Sequence, residues 1–390
     1  MKFVIFGNTR FSEFALREKP IALELAARGH EVVFIEQIPS IASKLSNVVK
    51  GGKQPTSSEA EQHQLRNLRV LTPPLIPTFF RSSLTPTIDR KIFRRWFRKS
   101  FTKFDWNDTV LIIMLPLWWD GFIDRALCPA TRILYDCYDA LEVPSRNQSA
   151  LLRMNNAEDL LAEDAALVCY SSKGMKERLA MRFRNAQLLH VPNAVTESFL
   201  KPNLIAKNRS EKCIGYIGAL DTRWVDLDLL HQLILNFPDS RFVFYSRLEG
   251  EAKHLNSYSN VSFEPLRLQT ELVDCISQFD VCLIPFKTNS ITQVINPIKL
   301  YEYLSTGSPI VATNTDELSH YPDLLYLATS HSDFTHALKT ALAEPSDDER
   351  RALRIEYARN NTWKHRVDVL LHAIAEISDS TTSAPHRDVQ

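Results

Sequence analysis

Residues 296–307 combine a helix-start signal with charged side chains at helical spacing. Asn296 is a residue type that caps helix N-termini, and Pro297 suits the first helical position, where its missing N–H is harmless. Gly307 suits the position just past the helix end. Lys299 in the first turn opposes the helix dipole, which favours anions at this end. We therefore predict that Lys299 and the free N–H groups of the helix start bind a phosphate or carboxylate.

Glu302 lies three residues after Lys299, so the two side chains share one face of the predicted helix. A carboxylate at this depth can accept two hydrogen bonds from a vicinal diol, such as the ribose hydroxyls of a nucleotide. The alternative is a solvated Lys–Glu pair, although lysine before glutamate is the weaker order for helix support. The pair therefore predicts a nucleotide site with phosphate at Lys299 and ribose at Glu302.

Two arginines in the second half of the chain are further phosphate candidates. Arg223 follows a predicted strand, and a guanidinium can grip a diphosphate with two parallel hydrogen bonds. The alternative for Arg223 is a surface arginine in an acidic loop, since Asp221 and Asp226 lie beside it. Arg247 also follows a predicted strand and is the second candidate.

Two aspartates in the first half, Asp136 and Asp139, follow a buried-strand pattern. Either carboxylate can orient or deprotonate a hydroxyl group of a bound molecule. The alternative is structural, because aspartates after strands commonly cap helices or accept backbone hydrogen bonds. Asp120, which follows Pro-Leu-Trp-Trp, is a further candidate of the same kind.

The elements that must position these residues alternate between strand and helix. Lys2–Gly7 reads as a buried strand, Ala15–Arg28 as an amphipathic helix and Glu31–Ile35 as the next strand. This order is a βαβ unit and implies a parallel sheet. The apolar pattern lapses over residues 200–212, which we interpret as a linker, and then the alternation restarts.

We therefore predict an α/β chain of two doubly wound domains, residues 1–204 and 205–361. A terminal helix at about 362–377 is expected to pack back near the first domain, and 378–390 to form a disordered tail. Two such domains facing each other create a cleft at the carboxyl ends of both sheets, where open α/β sheets bind ligands.

Composition excludes several classes of function. The chain has 390 residues, 44% of them apolar, and 46 basic against 46 acidic residues, so its formal net charge is zero. A large core can be buried, and a nucleic-acid partner is not expected because no basic field is present. No apolar run reaches the length of a membrane-spanning helix. The six cysteines have neither CxxC spacing nor metal-ligand spacing with histidine, so no metal site is expected.

Residues 89–103 form an amphipathic pattern with aromatic and basic faces. Phe93, Trp96 and Phe97 fall on one half of the helical wheel, and most of the seven basic residues fall on the other. An interfacial helix attracted to an anionic membrane has this pattern. A helix packed on the core with a basic outer face has it too, and the sequence leaves both open.

The segment Asn-Pro-Ile-Lys-Leu-Tyr-Glu-Tyr-Leu-Ser-Thr-Gly-Ser-Pro-Ile-Val-Ala-Thr, residues 296–313, resembles the donor-nucleotide helix of GT-B-fold glycosyltransferases. The similarity is to bacterial capsule and exopolysaccharide enzymes of the large family-four-like group. It covers most of residues 1–375, and four more motifs follow the family's order: Val191–Asn193, Gly215–Leu220, Phe279–Phe286 and Thr362–Arg366.

The resemblance implies a GT-B fold of two facing Rossmann-like domains, with the donor on the second and the acceptor on the first. The implied donor-binding residues are Gly218, Arg223, Arg247, Asn296, Pro297, Lys299 and Glu302. The implied catalytic residues are Asp136, Asp139 and Lys299.

The chain departs from the family pattern at three places. Val294 stands where the family often has a glutamate, so the sugar-contacting role passes to Asn296, the neighbouring backbone or Gln293. Trp224 replaces the lysine that commonly follows the phosphate-binding arginine, and Ala194 replaces a glycine.

The expected activity is a hexosyltransferase-type glycosyltransferase of cell-surface polysaccharide synthesis. Its donor is a nucleotide-diphospho-sugar, a UDP-sugar in the first instance, and its acceptor a glycan or lipid-linked sugar. The family implies retention of configuration, no cofactor is expected, and no metal is required because the protein supplies positive charge. The expected location is cytoplasmic, at the inner face of the membrane. The alternatives are a nucleotide-sugar epimerase and a catalytically silent partner subunit.

Overall fold

The computed structural model describes residues 1–12, 17–41, 66–78, 86–130, 132–143, 148–200 and 211–382. The first half forms a seven-stranded sheet in the order β3-β2-β1-β4-β5-β6-β7. Its strands are β1 Lys2–Phe6, β2 Glu31–Ile35, β3 Leu68–Leu71, β4 Thr109–Ile113, β5 Arg132–Cys137, β6 Leu167–Tyr170 and β7 Gln187–His190. Its helices are α1 Glu18–Ala27, α2 Pro86–Ser100, α3 Gln148–Asp164 and α4 Lys176–Arg182.

The second half forms a six-stranded sheet in the order β10-β9-β8-β11-β12-β13. Its strands are β8 Lys212–Ile217, β9 Ser240–Tyr245, β10 Val261–Glu264, β11 Val281–Ile284, β12 Ile310–Thr313 and β13 Tyr326–Ala328. The helices are α5 Leu227–Asn236, α6 Gln269–Ser277, α7 Ile298–Thr306, α8 His331–Leu342, α9 Glu349–Arg359 and α10 Trp363–Thr382.

Every strand pair in both sheets is parallel. The central strands, such as β4 and β11, are buried on both faces, whereas the edge strands β3, β7 and β10 are partly exposed. In β1, Val4 and Phe6 belong to one core, whereas Phe3 and Ile5 belong to a separate core on the opposite face. A strand covered by helices on both sides reads as a continuous apolar run, which is why β1 shows no alternation. The predicted α/β class with two doubly wound parallel sheets is confirmed.

The linker predicted at residues 200–212 lies mostly outside the described residues, and the proposed boundaries at 204 and 361 remain predictions. Helix α10 returns to the first domain, where Trp363, Val367 and Leu370 share a core with Phe3 of β1. The helix continues to Thr382, whereas the sequence predicted its end at about residue 377 and a disordered tail from 378. The rest of the predicted tail, 383–390, lies outside the described residues. Polar residues have weak helix preference, but a helix anchored by packing extends beyond its apolar stripe.

The aromatic face of α2 lies in the core of the first domain. Phe93 and Phe97 are fully buried, and the Phe93 ring packs 5.4 Å from that of Trp118. The aromatic half of the predicted amphipathic helix therefore does not face a membrane, and only its opposite side reaches the surface. No helix in the described ranges is long and apolar enough to cross a bilayer.

Candidate active site

Helix α7 begins one residue later than the sequence predicts. Pro297 has extended backbone angles, φ −77° and ψ 129°, and occupies the capping position with Ile298 as the first helical residue. Asn296 therefore precedes the cap, and no side chain caps the helix start. Gly307 follows the last turn in the left-handed conformation, with φ 72°, as predicted. The uncapped start leaves backbone N–H groups available to a ligand.

Asn296 joins the two domains. Its Oδ1 accepts a hydrogen bond from the Asn193 N–H at 2.8 Å, and its carbonyl accepts one from the Asn193 side chain at 2.5 Å. Its Nδ2 donates to Glu317 Oε1 at 2.7 Å and to the Tyr301 hydroxyl at 3.1 Å. The side chain is 1% exposed and its hydrogen-bonding atoms are engaged, so Asn296 positions the start of α7.

Two further contacts join the same parts of the chain. The Ser172 hydroxyl donates to the carbonyl of Val294 at 2.8 Å, and the Lys173 N–H donates to Glu317 Oε2 at 3.1 Å. Val294, where the family often carries a glutamate, packs against the core of the first domain. An apolar residue at this place therefore serves the contact between the domains.

Lys299 lies half-buried in the first turn of α7. Its Nζ is 3.9 Å from the centre of the Tyr216 ring and 6.0 Å from that of Phe286. Within the described ranges, no carboxylate or carbonyl oxygen accepts a hydrogen bond from this ammonium. Burial lowers the pKa of Lys299 to about 7, although the charge of Glu302 partly opposes that shift. A bound anion would stabilise the charged form of this desolvated ammonium.

Gly218 lies directly beside Lys299. Its φ is +120°, and a Cβ added to it would lie 3.1 Å from the Lys299 Nζ. A side chain here would be strained and would occupy the space around the ammonium. The backbone at the carboxyl end of β8 therefore lets a ligand approach Lys299 closely.

Glu302 is 7% exposed and lies one turn further along α7. Gln269, at the start of α6, donates a hydrogen bond to its Oε1 at 3.3 Å. Burial raises the pKa of Glu302 to about 7, while Gln269 and Lys299 oppose the shift. A buried carboxylate with one weak partner among the described residues retains the capacity to accept hydrogen bonds from the hydroxyls of a ligand.

The donors of Arg223 are engaged by other groups of the protein in this structure. Its Nε and Nη2 donate to the carboxylate of Asp221, with the Nη2 bond at 2.8 Å. Its Nη1 donates to the carbonyls of Glu142 and Val143 in the first domain, at 3.1 and 3.0 Å. The guanidinium also stacks 4.5 Å from the Trp224 ring. These contacts match the acidic-loop alternative, and binding a diphosphate would require Arg223 to exchange them.

Arg247 and Gly218 lie near the carboxyl ends of neighbouring strands, since the Gly218 N–H donates to the carbonyl of Tyr245 at 3.1 Å. The Arg247 side chain is one-third exposed, and its Nη1 is 3.7 Å from Glu249. It remains a candidate for phosphate contact.

Asp136 and Asp139 lie at the carboxyl edge of the first sheet but differ in exposure. Asp136 is 2% exposed, and the Arg17 Nε donates to its Oδ2 at 2.7 Å. Asp139 is half-buried, and burial together with the charges of Glu18 and Asp136 raises its pKa to about 7, against the opposing charge of Arg17. Arg17 therefore occupies one oxygen of Asp136, and Asp139 is the more exposed of the two carboxyl groups.

Two charged residues at this edge, Arg17 and Glu18, were not among the candidates from the sequence; Arg17 directly precedes α1 and Glu18 is its first residue. Glu18 is fully buried, and its Oε1 accepts hydrogen bonds from the Asn8 N–H at 3.1 Å and the Thr9 hydroxyl at 2.8 Å. Arg17 also donates to Asn193 Oδ1 at 3.4 Å. Two features of the sequence could have identified them: the loop that follows the first strand and the charged residues where the next helix starts. Both lie at the carboxyl edge of the sheet, where ligands bind.

Asp120, the third aspartate candidate from the sequence, pairs with two arginines of the first domain. Its carboxylate pairs with Arg90 of α2 at 2.8 Å and with Arg153 of α3 at 2.6 Å. Asp120 therefore links two helices of the first domain.

The fold is that of the GT-B glycosyltransferases, and the site lies at the facing carboxyl edges of its two sheets. No family model matches the chain. The chain is 24% identical over 254 residues to a protein of Bacillus subtilis named "Putative teichuronic acid biosynthesis glycosyltransferase TuaH". The match covers 60% of this chain and 64% of the relative's length, somewhat less than two thirds.

Solved structures are similar over almost the whole chain. Sucrose-phosphate synthase from Thermosynechococcus elongatus superposes with a TM-score of 0.70 at 13% identity, covering 97% of this chain and 99% of the other. A structure described as trehalose-6-phosphate from E. coli bound with UDP-2-fluoro glucose has a TM-score of 0.65 at 10% identity, covering 97% and 99%. Structural similarity at such low sequence identity establishes the fold alone.

Proposed function

We propose that this chain is a glycosyltransferase that moves a sugar from a nucleotide-diphospho-sugar to a glycan or lipid-linked acceptor in polysaccharide synthesis. The observation that carries the proposal is the start of α7. There Lys299 has no anionic partner within the described residues, lies beside Gly218 and is followed one turn later by the weakly paired Glu302. The relative named for teichuronic acid biosynthesis supports a role in polysaccharide synthesis.

The donor would bind with its diphosphate at the α7 start and its ribose at Glu302. As the bond to the leaving phosphate breaks, negative charge develops on the diphosphate, and Lys299 and the backbone N–H groups stabilise it. We propose a UDP-sugar, because a neighbour of the same fold was solved with UDP-2-fluoro glucose. We also propose that transfer proceeds without a metal ion and retains configuration, the latter on the resemblance to the family.

The acceptor would bind at the carboxyl edge of the first sheet, where Asp139 is open to ligands. This second group of charged residues favours transfer over epimerisation, since an epimerase needs no acceptor hydroxyl. A silent partner subunit is disfavoured by Lys299, which has no anionic partner within the described ranges, because keeping a desolvated ammonium costs stability that only ligand binding offsets.

The test is a panel of UDP- and other nucleotide-sugars, incubated with lipid extract and analysed for glycosylated product by mass spectrometry. We expect product with a UDP-sugar, with and without EDTA.

The substitution Glu302→Gln is expected to weaken UDP binding by about 1.5–3 kcal/mol, because an amide accepts hydrogen bonds through one oxygen only. Calorimetry above pH 7 measures the affinity, and Glu356→Gln, exposed on α9, is the control. Equal UDP affinity in Glu302→Gln and wild type would remove the donor-helix assignment.

We further propose that the exposed side of α2 attracts an anionic membrane. Lys91, Arg95, Arg98 and Lys99 are exposed there, with Ile92 37% exposed between them. Arg94 is excluded because it pairs with Asp124 at 2.7 Å. Each basic residue near an anionic leaflet contributes about 1 kcal/mol, and the contribution is screened by salt.

Changing these four exposed basic residues of α2 to glutamine should abolish sedimentation with anionic vesicles at low salt and leave the melting temperature unchanged. The matched control removes four exposed charges elsewhere, at Lys253, Lys339, Arg359 and Lys364. Raising the salt concentration should reproduce the effect in the wild type. A wild type that ignores anionic vesicles, or a control that loses binding equally, contradicts the proposal.

A further inference from the structure

Three carboxyl groups and one guanidinium lie together at the carboxyl edge of the first sheet. Arg17 and Glu18 come from the start of α1, Asp136 from the end of β5, and Asp139 from the loop that follows. The Arg17 guanidinium faces the group, since its Nε donates to Asp136 Oδ2 at 2.7 Å. Glu18, Asp136 and Arg17 all lie within electrostatic range of Asp139. We refer to these four residues as the acceptor cluster.

The acceptor cluster contains polar atoms that no described residue satisfies. Arg17 Nη2, Glu18 Oε2 and Asp136 Oδ1 are buried and have no hydrogen-bond partner within the described ranges. Arg17, Glu18 and Asp136 are 1%, 0% and 2% exposed. Buried polar groups in folded proteins are almost always paired, so such a concentration of unpaired atoms points to a polar occupant.

The chemistry of the unpaired atoms restricts that occupant. It must accept a hydrogen bond from the Arg17 guanidinium and donate hydrogen bonds to the oxygens of Glu18 and Asp136. A hydroxyl group does both, whereas a carboxylate or phosphate has no proton to donate and would lie against three carboxyl groups and one guanidinium. Asp139, half-buried beside them, is open to a second hydroxyl of the same molecule.

The Arg366 guanidinium also lies within electrostatic range of Arg17, but it is engaged elsewhere. The Arg366 guanidinium donates to the carbonyls of Pro192 and Asn193 and to Asn361 Oδ1, at 3.0, 3.2 and 2.6 Å. Its donors are thus directed at the loop after β7 and at the turn before α10. The Tyr138 hydroxyl, which accepts from the Asn8 side chain at 3.3 Å, adds a neutral polar group.

We propose that the acceptor cluster binds adjacent hydroxyls of a neutral sugar and that Glu18 makes the site reject uronates and phosphorylated sugars. The inference rests on the proposed glycosyltransferase function and names the substrate class of its acceptor side. Glu18 acts by accepting from the sugar through Oε2, while Oε1 holds the loop of Asn8 and Thr9. Specificity then comes from a hydrogen bond to the right ligand and repulsion of the wrong one.

The binding test uses saturation-transfer NMR on the full chain saturated with UDP. The probes are methyl glucopyranoside, methyl galactopyranoside and methyl N-acetylglucosaminide against methyl glucuronide and glucose 6-phosphate. We expect at least one neutral glycoside to bind about tenfold more tightly than either anionic probe. This comparison needs no variant, so it stands even where a substitution disturbs folding.

Glu18→Gln is the matched substitution, because glutamine keeps the Oε1 acceptor for Asn8 and Thr9 and replaces Oε2 by a donor. We expect the ratio of neutral to anionic affinity to fall about tenfold, with UDP affinity unchanged by calorimetry. Glu24→Gln is the control on the same helix, where Glu24 pairs with Arg28 at 2.9 Å. The control should preserve the ratio.

Three outcomes separate this inference from the proposed function. A chain that binds no nucleotide refutes the proposed function. A chain that binds UDP but no neutral glycoside, or that prefers glucuronide, refutes the acceptor cluster alone and leaves buried water as the occupant of the unpaired atoms. An unchanged affinity ratio in folded Glu18→Gln refutes the specificity role of Glu18.

Discussion

Replacing Lys299 with methionine is expected to lower kcat/KM about 100- to 1,000-fold, the loss typical of removing one group that stabilises developing charge. Methionine keeps the length and the packing against Tyr216 but removes the ammonium. UDP affinity should fall with the rate, whereas uridine affinity should change little because the nucleoside lacks the phosphates. Steady-state kinetics and calorimetry with both ligands measure the effect. Equal losses for UDP and uridine would place Lys299 away from the phosphates.

The pH dependence gives an independent check on Lys299. Because burial lowers its pKa to about 7, the free protein loses the ammonium charge as the pH rises through that value. UDP binding needs the charge, so UDP affinity should fall between about pH 7.5 and 9, by up to about tenfold per pH unit. Lys299→Arg keeps its charge throughout and should give a flat profile in that range. A falling profile in the arginine variant would assign the titration to another group.

The donor side of the site was largely predictable because it is encoded locally. A proline and a glycine bound α7, and Lys299 and Glu302 share a face by helical spacing alone. The role of Asn296 was not predictable. Its partners Asn193 and Glu317 lie 103 and 21 positions away. Asn296 therefore makes these long-range contacts and does not cap the helix, the role that local preference predicts.

The acceptor side was predictable only in part. Asp136 and Asp139 follow a recognisable strand, but Arg17 lies 119 positions before Asp136, and no local pattern joins them. Arg223 shows the limit of residue type as evidence, since its neighbour Asp221 and two distant carbonyls engage its donors. A guanidinium suits carboxylates, carbonyls and phosphates alike, so only the fold decides among them.

The amphipathic pattern of α2 illustrates a related limit. Periodicity identifies an apolar face but does not say whether protein or lipid covers it. Here Phe93 and Phe97 contact other aromatic rings of the first domain, including Phe6 and Trp118. The basic side remains exposed, so only the electrostatic part of the membrane prediction persists.

The end of α7 depends on a buried ion pair, and breaking that pair should strongly destabilise the second domain. The Arg354 guanidinium donates to both oxygens of Glu344, at 2.6 and 2.7 Å, and to the carbonyls of Leu324 and Gly307. Its side chain is fully buried and that of Glu344 is 3% exposed. Arg354→Met leaves the Glu344 carboxylate buried and unpaired, which typically costs about 3–5 kcal/mol of the free energy of unfolding.

Urea unfolding monitored by circular dichroism measures this loss, and UDP binding by calorimetry reports on the folded fraction. Because Arg354 contacts the end of α7 and not its start, the folded variant should bind UDP with nearly wild-type affinity. Arg354→Met combined with Glu344→Gln should be more stable than Arg354→Met alone, since the amide removes the unpaired charge and still accepts from the Tyr326 hydroxyl. If Arg354→Met lowers the free energy of unfolding by less than about 1 kcal/mol, the pair contributes no more than a solvent-exposed ion pair, and this would contradict the burial of the contact.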